Sequence, residues 1–434
     1  MKRRDFITST GLVLGSLPVF GALQGNIQTG QFSVPMDAED WASVRKQFPL
    51  TPSRIHLATF FFASHPKPVS EAIERHRKAF DEDPVHYWHQ HFMTAEPAQR
   101  AAAAEYLGTD PDQIALTDST TMGLGLIYGG LELAPEAEIL TTTHDHYATE
   151  MSLQHRADRT GAVVKRISLY DAPAEATSEE IVSRMLKAFN ANTRVLAVTW
   201  VHSSTGVKLP ISEMARALEE VNSSRDPEDR ILFCVDGVHG LGIEDVSIGE
   251  LGCDFFIAGT HKWIFGPRGT GIIWGRPEAW KRVSPVIPGF GMSYGAWLGE
   301  LSWEAVAFGE HMSPGGFHSF EHRWALEEAF KFHQAIGKSR IQERIHSLNS
   351  LTKEALAEMP HVKLHTPLSP SRSAGMVCFD VEGHSADQVV HQLQEQGIVA
   401  SSTPYRVTHA RLAPSIINNE EEIQRTLEAI KALA

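Results

Sequence analysis

The chain has 434 residues, of which 42% are hydrophobic and 21% charged, and it carries a net charge of −14 at neutral pH. That length exceeds what one core serves and points to about two or three domains of ordinary globular composition. The acidic balance argues against nucleic acid as a partner, since a nucleic-acid binder needs a basic face, and three cysteines supply no disulfide framework.

Residues 1–24 read as an export leader. Lys2, Arg3 and Arg4 precede Phe6 and Ile7, an apolar stretch runs from Gly11 to Phe20, and small residues follow at Gly21 and Ala22. A basic start, a short apolar run and small residues make a signal peptide. The paired arginines resemble the twin-arginine (Tat) signal. The stretch is too short and too interrupted to span a membrane comfortably. The expectation is a protein carried by the Tat export machinery to the periplasm, with no stable membrane span after processing.

A further N-terminal segment, 25–54, leads into alternating strand-period and helix-period patterns. Strands are expected at 114–117, 138–142, 162–167, 195–201, 231–235, 254–258 and 270–274, with helices such as 177–188 and 211–221 between them. This alternation predicts an α/β fold with a seven-stranded, mostly parallel sheet covered by helices on both faces. The large domain is placed at 55–290. A Gly/Pro-rich region follows, and 291–330 is read as a functional loop or interface segment. Residues 331–434 form a smaller α+β domain, with a strand over 374–381 and helices over 385–396 and 419–432. On a helix His86 and His89 share a face and His91 lies off it. No metal site is expected from that run, and none elsewhere.

In a doubly wound sheet the ligand lies beyond the carboxyl ends of the strands. Polar clusters stand after five of the expected strands. Ser119, Thr120 and Thr121 open a helix, where free N–H groups seat a phosphate or simply receive an N-cap. His144, Asp145 and His146 offer imidazoles that could stack on a ring. His202-Ser203-Ser204-Thr205-Gly206, Asp236-Gly237-Val238-His239 and Gly259-Thr260-His261-Lys262 complete the set. Lys262 and Asp236, at the ends of neighbouring strands, are what pyridoxal phosphate (PLP) chemistry asks for. A lysine amine forms a Schiff base with the aldehyde, and a carboxylate keeps the pyridine nitrogen protonated.

With these motifs the chain resembles the class V aminotransferases, of PLP fold type I, from about Ile55 onward. The likeness is strongest from Val235-Asp236-Gly237-Val238-His239 to His261-Lys262-Trp263-Ile264-Phe265-Gly266-Pro267-Arg268-Gly269. His261-Lys262-Trp263 and the segment from His202 to Gly206 are most similar to the isopenicillin-N-epimerase-like subgroup. The resemblance implies Lys262 as Schiff-base lysine and proton shuttle, with Asp236 on the pyridine nitrogen. It implies His146 stacked on the ring and His239 near the phenolic oxygen. Thr120, Thr121 and His261 would hold the phosphate. Ser203 stands where many members place an asparagine on the phenolic oxygen. Arg411, in Ala410-Arg411-Leu412-Ala413-Pro414, matches the arginine that grips the substrate carboxylate, a geometry that suits a guanidinium fork. A homodimer with sites at the interface is implied as well.

Some features depart from the family. Phe60-Phe61-Phe62 replaces the epimerases' Asn-His-Gly-Ser and is expected to wall the substrate, with Phe61 in contact. Cysteine desulfurases need a cysteine on the loop before the arginine, and Ser401-Ser402-Thr403-Pro404-Tyr405 has none. A twin-arginine leader on this fold is similar to the periplasmic PLP enzymes of pyoverdine siderophore maturation. The expectation is therefore an exported enzyme working at the α-carbon of an amino-acid or peptide amine, with siderophore tailoring as its specific form. An epimerase or aminotransferase of small amino acids is the alternative. A non-catalytic binder of PLP or amines is a third reading, against which the retention of Lys262 and Asp236 argues.

Overall fold

Strand β1 is Ile55–His56, and β2 to β8 follow as Ile114–Thr117, Glu138–Thr142, Val163–Ile167, Thr193–Thr199, Leu232–Asp236, Phe255–Gly259 and Gly271–Gly275. The computed structural model describes residues 36–434, so the leader expected over 1–24 lies outside the described residues. Strands β2 to β8 form one sheet in the order β2-β8-β7-β6-β5-β3-β4. Strands β3 to β7 are parallel, and β8 runs antiparallel to β2 and β7. This is the α/β sheet that the alternating pattern predicts. Strands β6, β7 and β8 are buried at every position, as expected of strands covered on both faces.

The core on one face joins Leu124, Ile127 and Tyr128 of helix Thr120–Gly130 and Leu153 of helix Tyr147–Thr160 to Val195, Cys234, Phe255, Ile257 and Ile273 of the sheet. Local signals set the helix ends. The Ser119 hydroxyl accepts from the Met122 N–H at 3.1 Å to start the first of these helices. Gly161, at φ 80°, ends the second in the left-handed region that glycine enters without strain.

A second sheet follows. Its strands are β9 (Val362–Leu364), β10 (Val377–Val381), β12 (Ser401–Ser402) and β13 (Ala410–Leu412), with β11 (Ile398–Val399) beside them. The order is β12-β13-β10-β9, all antiparallel. Val377, Phe379 and Leu412 pack with Leu348, Val389, Leu393 and Leu427 from helices Lys338–Ala357, Ala386–Glu395 and Glu420–Lys431.

Strand β1 pairs in parallel with β11. Ile55 and Leu57 alternate into the core of the second sheet, and Ala58 bridges to Ala413. Residues 55–58, which the sequence reading places in the large domain, therefore lie with the C-terminal part of the chain. The 291–330 region holds short helices at Met292–Leu298, Phe308–His311 and Phe320–Arg323. Among the described residues no helix is long and apolar enough to cross a membrane.

Candidate active site

The parallel pairing of β6 with β7 sets Asp236 opposite Ile257, so the polar residues that end both strands emerge on the same edge of the sheet. Beyond β7 the chain turns tightly. The Thr260 N–H donates to the Thr270 carbonyl at 3.1 Å, and the Gly266 N–H donates back to the Thr260 carbonyl at 2.9 Å. Within this turn Phe265 has φ 57°. A bulky residue in that region costs on the order of 1–3 kcal/mol. Burial of its ring, edge-on to Phe48 at 4.8 Å, holds it there. The loop carrying Lys262 is thus locked by packing.

Lys262 Nζ lies 3.5 Å from His239 Nε2. Burial lowers the amine to about 8, against the attraction of Asp236 and with the repulsion of Arg411. Burial, reinforced by Lys262 and Arg411, also holds His239 well below the usual imidazole range, so it is neutral. The Trp263 indole donates to His239 Nδ1 at 3.2 Å. An indole N–H is only a donor, so the imidazole proton sits on Nε2, facing the lysine. Asp236 is buried and raised to about 6 by that burial, with the Val238 N–H at 3.1 Å and the charge of Lys262 acting in the other direction. Near neutral pH it is a dry carboxylate in need of a cationic N–H.

At the opposite end of the site, Thr120 begins its helix, and its hydroxyl accepts from the Gly259 N–H at 2.8 Å. A Cβ on Gly259 would stand 2.9 Å from Thr120 Oγ1 and 3.0 Å from His261 Cε1. His261 Nδ1 is buried without a hydrogen-bond partner among the described residues. A glycine-narrowed gap, unspent N–H groups at a helix start and an orphaned imidazole nitrogen suit a phosphate. Together with Lys262 and Asp236, these residues fit PLP.

His146 caps helix Tyr147–Thr160, with Nδ1 accepting from the Ala148 N–H at 3.1 Å. Burial, then Lys262 and Arg411, lower its basicity. Its position is fixed through Asp145, which accepts from Thr142 N–H at 2.8 Å and, across strands, from Thr199 N–H at 2.6 Å. The Tyr405 ring stands edge-on to His146 at 6.2 Å. The Tyr405 hydroxyl is 2.6 Å from Ser203 Oγ. The Ser203 carbonyl accepts from Arg411 Nη1 at 2.6 Å, and Arg411 Nε donates to Ser401 Oγ at 3.3 Å. The buried guanidinium lies 3.9 Å over the Phe60 ring. One N–H on each of its terminal nitrogens remains for a carboxylate.

The structure thus gathers Lys262, Asp236, His239, His146, Ser203 and Arg411, with Thr120 and His261 at the end whose geometry suits a phosphate. Thr121 is exposed at the helix start. The expected phenylalanine wall is not formed as read. Phe61 and Phe62 are 63% and 61% exposed and pack on each other, whereas Phe60 is 2% exposed beneath Arg411. The reason is register: the pairing of Leu57 with Val399 and of Ala58 with Ala413 sends Phe60 inward and the turn after it outward. Tyr405 joins the site only through the fold. Its signal is an aromatic hydroxyl in the loop where a desulfurase carries its cysteine. The histidine run does not converge: His91 Nδ1 bonds the Tyr87 carbonyl at 2.9 Å and His86 bonds Gln90 at 2.8 Å. All three cysteines are buried. Burial raises Cys253 and Cys378 to about 12 and Cys234 well above its ordinary value.

The aminotransferase class-V family matches residues 63–414. Isopenicillin N epimerase from Streptomyces clavuligerus is 26% identical over 92% of this chain and 99% of its own. A probable cysteine desulfurase from Xylella fastidiosa (strain Temecula1) is 26% identical over 92% of this chain and 96% of its own. Among solved structures, the cystine C-S lyase C-DES in complex with cysteine persulfide superposes with a TM-score of 0.79 at 23% identity, covering 89% of this chain and 99% of that one. The apo cysteine desulfurase of Thermococcus onnurineus NA1 gives a TM-score of 0.76 at 21% identity, covering 90% and 97%. At such identities the structural likeness speaks for the fold alone.

Proposed function

This chain belongs to the aminotransferase class-V family and is a PLP enzyme, and from that premise we propose that it removes the α-proton of an amino-acid or peptide amine in an epimerase-type reaction. The observation that carries the reading is a lysine brought to about 8 by burial, 3.5 Å from a neutral histidine, with no reactive thiol beside it.

Bound PLP supplies an electron sink for charge developing at the substrate α-carbon. Asp236 would hold its ring nitrogen, His146 its face, and Thr120 and His261 its phosphate. Lys262 takes the α-proton from one face of the substrate, and inversion is completed by a proton delivered to the opposite face. An amine that is half unprotonated near pH 8 is matched to that task at physiological pH. Arg411 holds the substrate carboxylate, and Phe60 fixes the guanidinium plane beneath it. Ser203 and Tyr405 present a hydroxyl pair on the substrate side.

Desulfuration, the activity named for several relatives, needs a thiolate nucleophile. Tyr405 occupies the loop where one would stand, and the buried cysteines are protonated. The twin-arginine start supports a periplasmic site of action reached through the Tat machinery. That location favours a peptide substrate, siderophore tailoring of the pyoverdine type being the specific form. The exposed Phe61–Phe62 rim supports an amine larger than a free amino acid. Exposed Tyr294, Trp297, Trp303 and Phe317 in the 291–330 region support a homodimer.

The test is proton exchange. Holoenzyme in heavy water is given L- and D-amino acids and short peptides with free amines, and loss of the α-proton signal is followed by NMR. Exchange that disappears in Lys262→Ala supports the reading. Release of sulfide from cysteine faster than any α-proton exchange sinks it.

A further inference from the structure

We propose that His365, Asp380 and His409 form a transition-metal site, of the kind that takes Zn²⁺, and that the metal ties down the loop carrying Tyr405. Nothing in the proposal depends on the substrate.

Asp380 lies on β10, His365 directly follows β9, and His409 directly precedes β13. These are three adjacent strands of the second sheet. One ligand atom from each residue lies within 4.8 Å of the other two. His365 Nε2 is 2.7 Å from Asp380 Oδ2, and His409 Nδ1 is 2.8 Å from Asp380 Oδ1. The two imidazole ring centroids are 3.8 Å apart, with the planes tilted by 33°.

Zinc binds nitrogen and oxygen at about 2.0–2.2 Å, which puts neighbouring ligand atoms of a tetrahedral site about 3.4 Å apart. The groups here already straddle that spacing, so side-chain rotation suffices to close on a cation. Two imidazoles and a carboxylate leave a fourth position for water. The histidines are 9% and 8% exposed, while the Asp380 side chain is 39% exposed, which gives an entry path. Lys363, opposite Asp380 across the strand pair, is exposed and can move aside when a dication arrives. A metal takes the lone pair of the nitrogen that faces Asp380, so in the metal-bound form each neutral ring carries its single proton on the other nitrogen.

The connection to the active site is short. The His409 N–H donates to Thr403 Oγ1 at 2.9 Å, and the Thr403 N–H donates to the His409 carbonyl at 2.9 Å. These two bonds close the base of the loop whose Tyr405 reaches Ser203 at 2.6 Å. A metal on His409 therefore fixes the loop at its root.

Metal-depleted holoenzyme titrated with Zn²⁺ in a calorimeter tests this. The wild type is expected to bind a single equivalent. His365→Ala, Asp380→Asn and His409→Gln are each expected to weaken binding by at least about tenfold, whereas His86→Ala leaves it unchanged. Thermal midpoint and cofactor absorbance confirm that each variant is folded. Co²⁺ added to the wild type reads the site without substitution, through intense visible bands from four or five ligands. Zn²⁺ affinity that is the same in all three variants as in wild type overturns the proposal. A Co²⁺ spectrum identical to that of the aquo ion does so too, and the cluster is then a carboxylate hydrogen-bonded to two histidines.

Discussion

The indole N–H of Trp263 donates to Nδ1 of His239 at 3.2 Å, and through that bond it decides which face of the imidazole the lysine meets. A neutral histidine has two tautomers, and only the one with its proton on Nε2 offers a donor toward Lys262 Nζ. Trp263→Phe keeps an aromatic ring and removes the donor. The loss of one buried hydrogen bond, about 1–1.5 kcal/mol, translates to roughly a tenfold fall in kcat with KM little changed. The visible band of the lysine-bound cofactor is expected to shift in the same variant. An unaltered spectrum and rate would show that packing alone orients His239.

Cofactor uptake by the apoprotein reports the state of the lysine. Only the free amine attacks an aldehyde, and burial brings Lys262 to about 8. The rate of PLP incorporation, followed by absorbance, is expected to rise about tenfold per pH unit below that value and to level above it. A rate flat between pH 6 and 9 contradicts the assignment.

Asp236 makes the apoprotein less stable. Its pKa is about 6 when folded against about 3.9 in an unfolded chain. The folded state therefore holds more protons, and this group's contribution to stability falls as pH rises from about 4 to 6. Above that window the penalty is complete, roughly 3 kcal/mol. Asp236→Asn keeps an acceptor for the Val238 N–H and removes the charge. Its apoprotein is expected to melt higher than wild type at pH 7.5, with the difference shrinking toward pH 4. Activity falls at least about a hundredfold, because the pyridine nitrogen loses its counter-charge. Calorimetry of the two apoproteins across that pH range decides the matter.

Gly259 leaves the space that a phosphate would share with Thr120 and His261. Gly259→Ala places a methyl 2.9 Å from Thr120 Oγ1 and 3.0 Å from His261 Cε1, closer than either contact tolerates. PLP affinity is expected to drop at least about tenfold, since a well-made anion contact is worth about 1.5–3 kcal/mol. The secondary structure by circular dichroism should stay that of wild type. Equilibrium dialysis of PLP provides the measurement.

Phe60 and Phe61 separate floor from rim. Phe60→Ala removes a buried ring under Arg411 and is expected to cost about 3–5 kcal/mol of stability. Phe61→Ala alters an exposed side chain and is expected to change stability by less than about 0.5 kcal/mol. If the rim contacts peptide substrates, Phe61→Ala raises KM for peptides and leaves KM for free amino acids alone. Equal changes for both substrate classes would remove Phe61 from the substrate path.

The strand-end logic made the centre of the site legible. Lys262 and Asp236 follow apolar runs of strand length, and a parallel sheet brings such ends to one edge whatever the intervening helices do. Tyr405, Phe60 and the His365–Asp380–His409 cluster were not legible. Which phenylalanine turns inward depends on the pairing of β1 with β11, and a shift of one residue would reverse it. The cluster depends on strand order in the second sheet, which carries no local signal. His409 is separated from His365 and Asp380 by a helix and two short strands.

The pairing of β1 with β11 also imposes an order in time. A chain leaving the ribosome has made Asp236, His239 and Lys262 long before Arg411, and the Phe60 ring lacks its guanidinium partner until β13 exists. Arg411 is thus the last of the site residues to be made. The grip on a substrate carboxylate is therefore completed only once β1 has paired with β11 and β13 is in place.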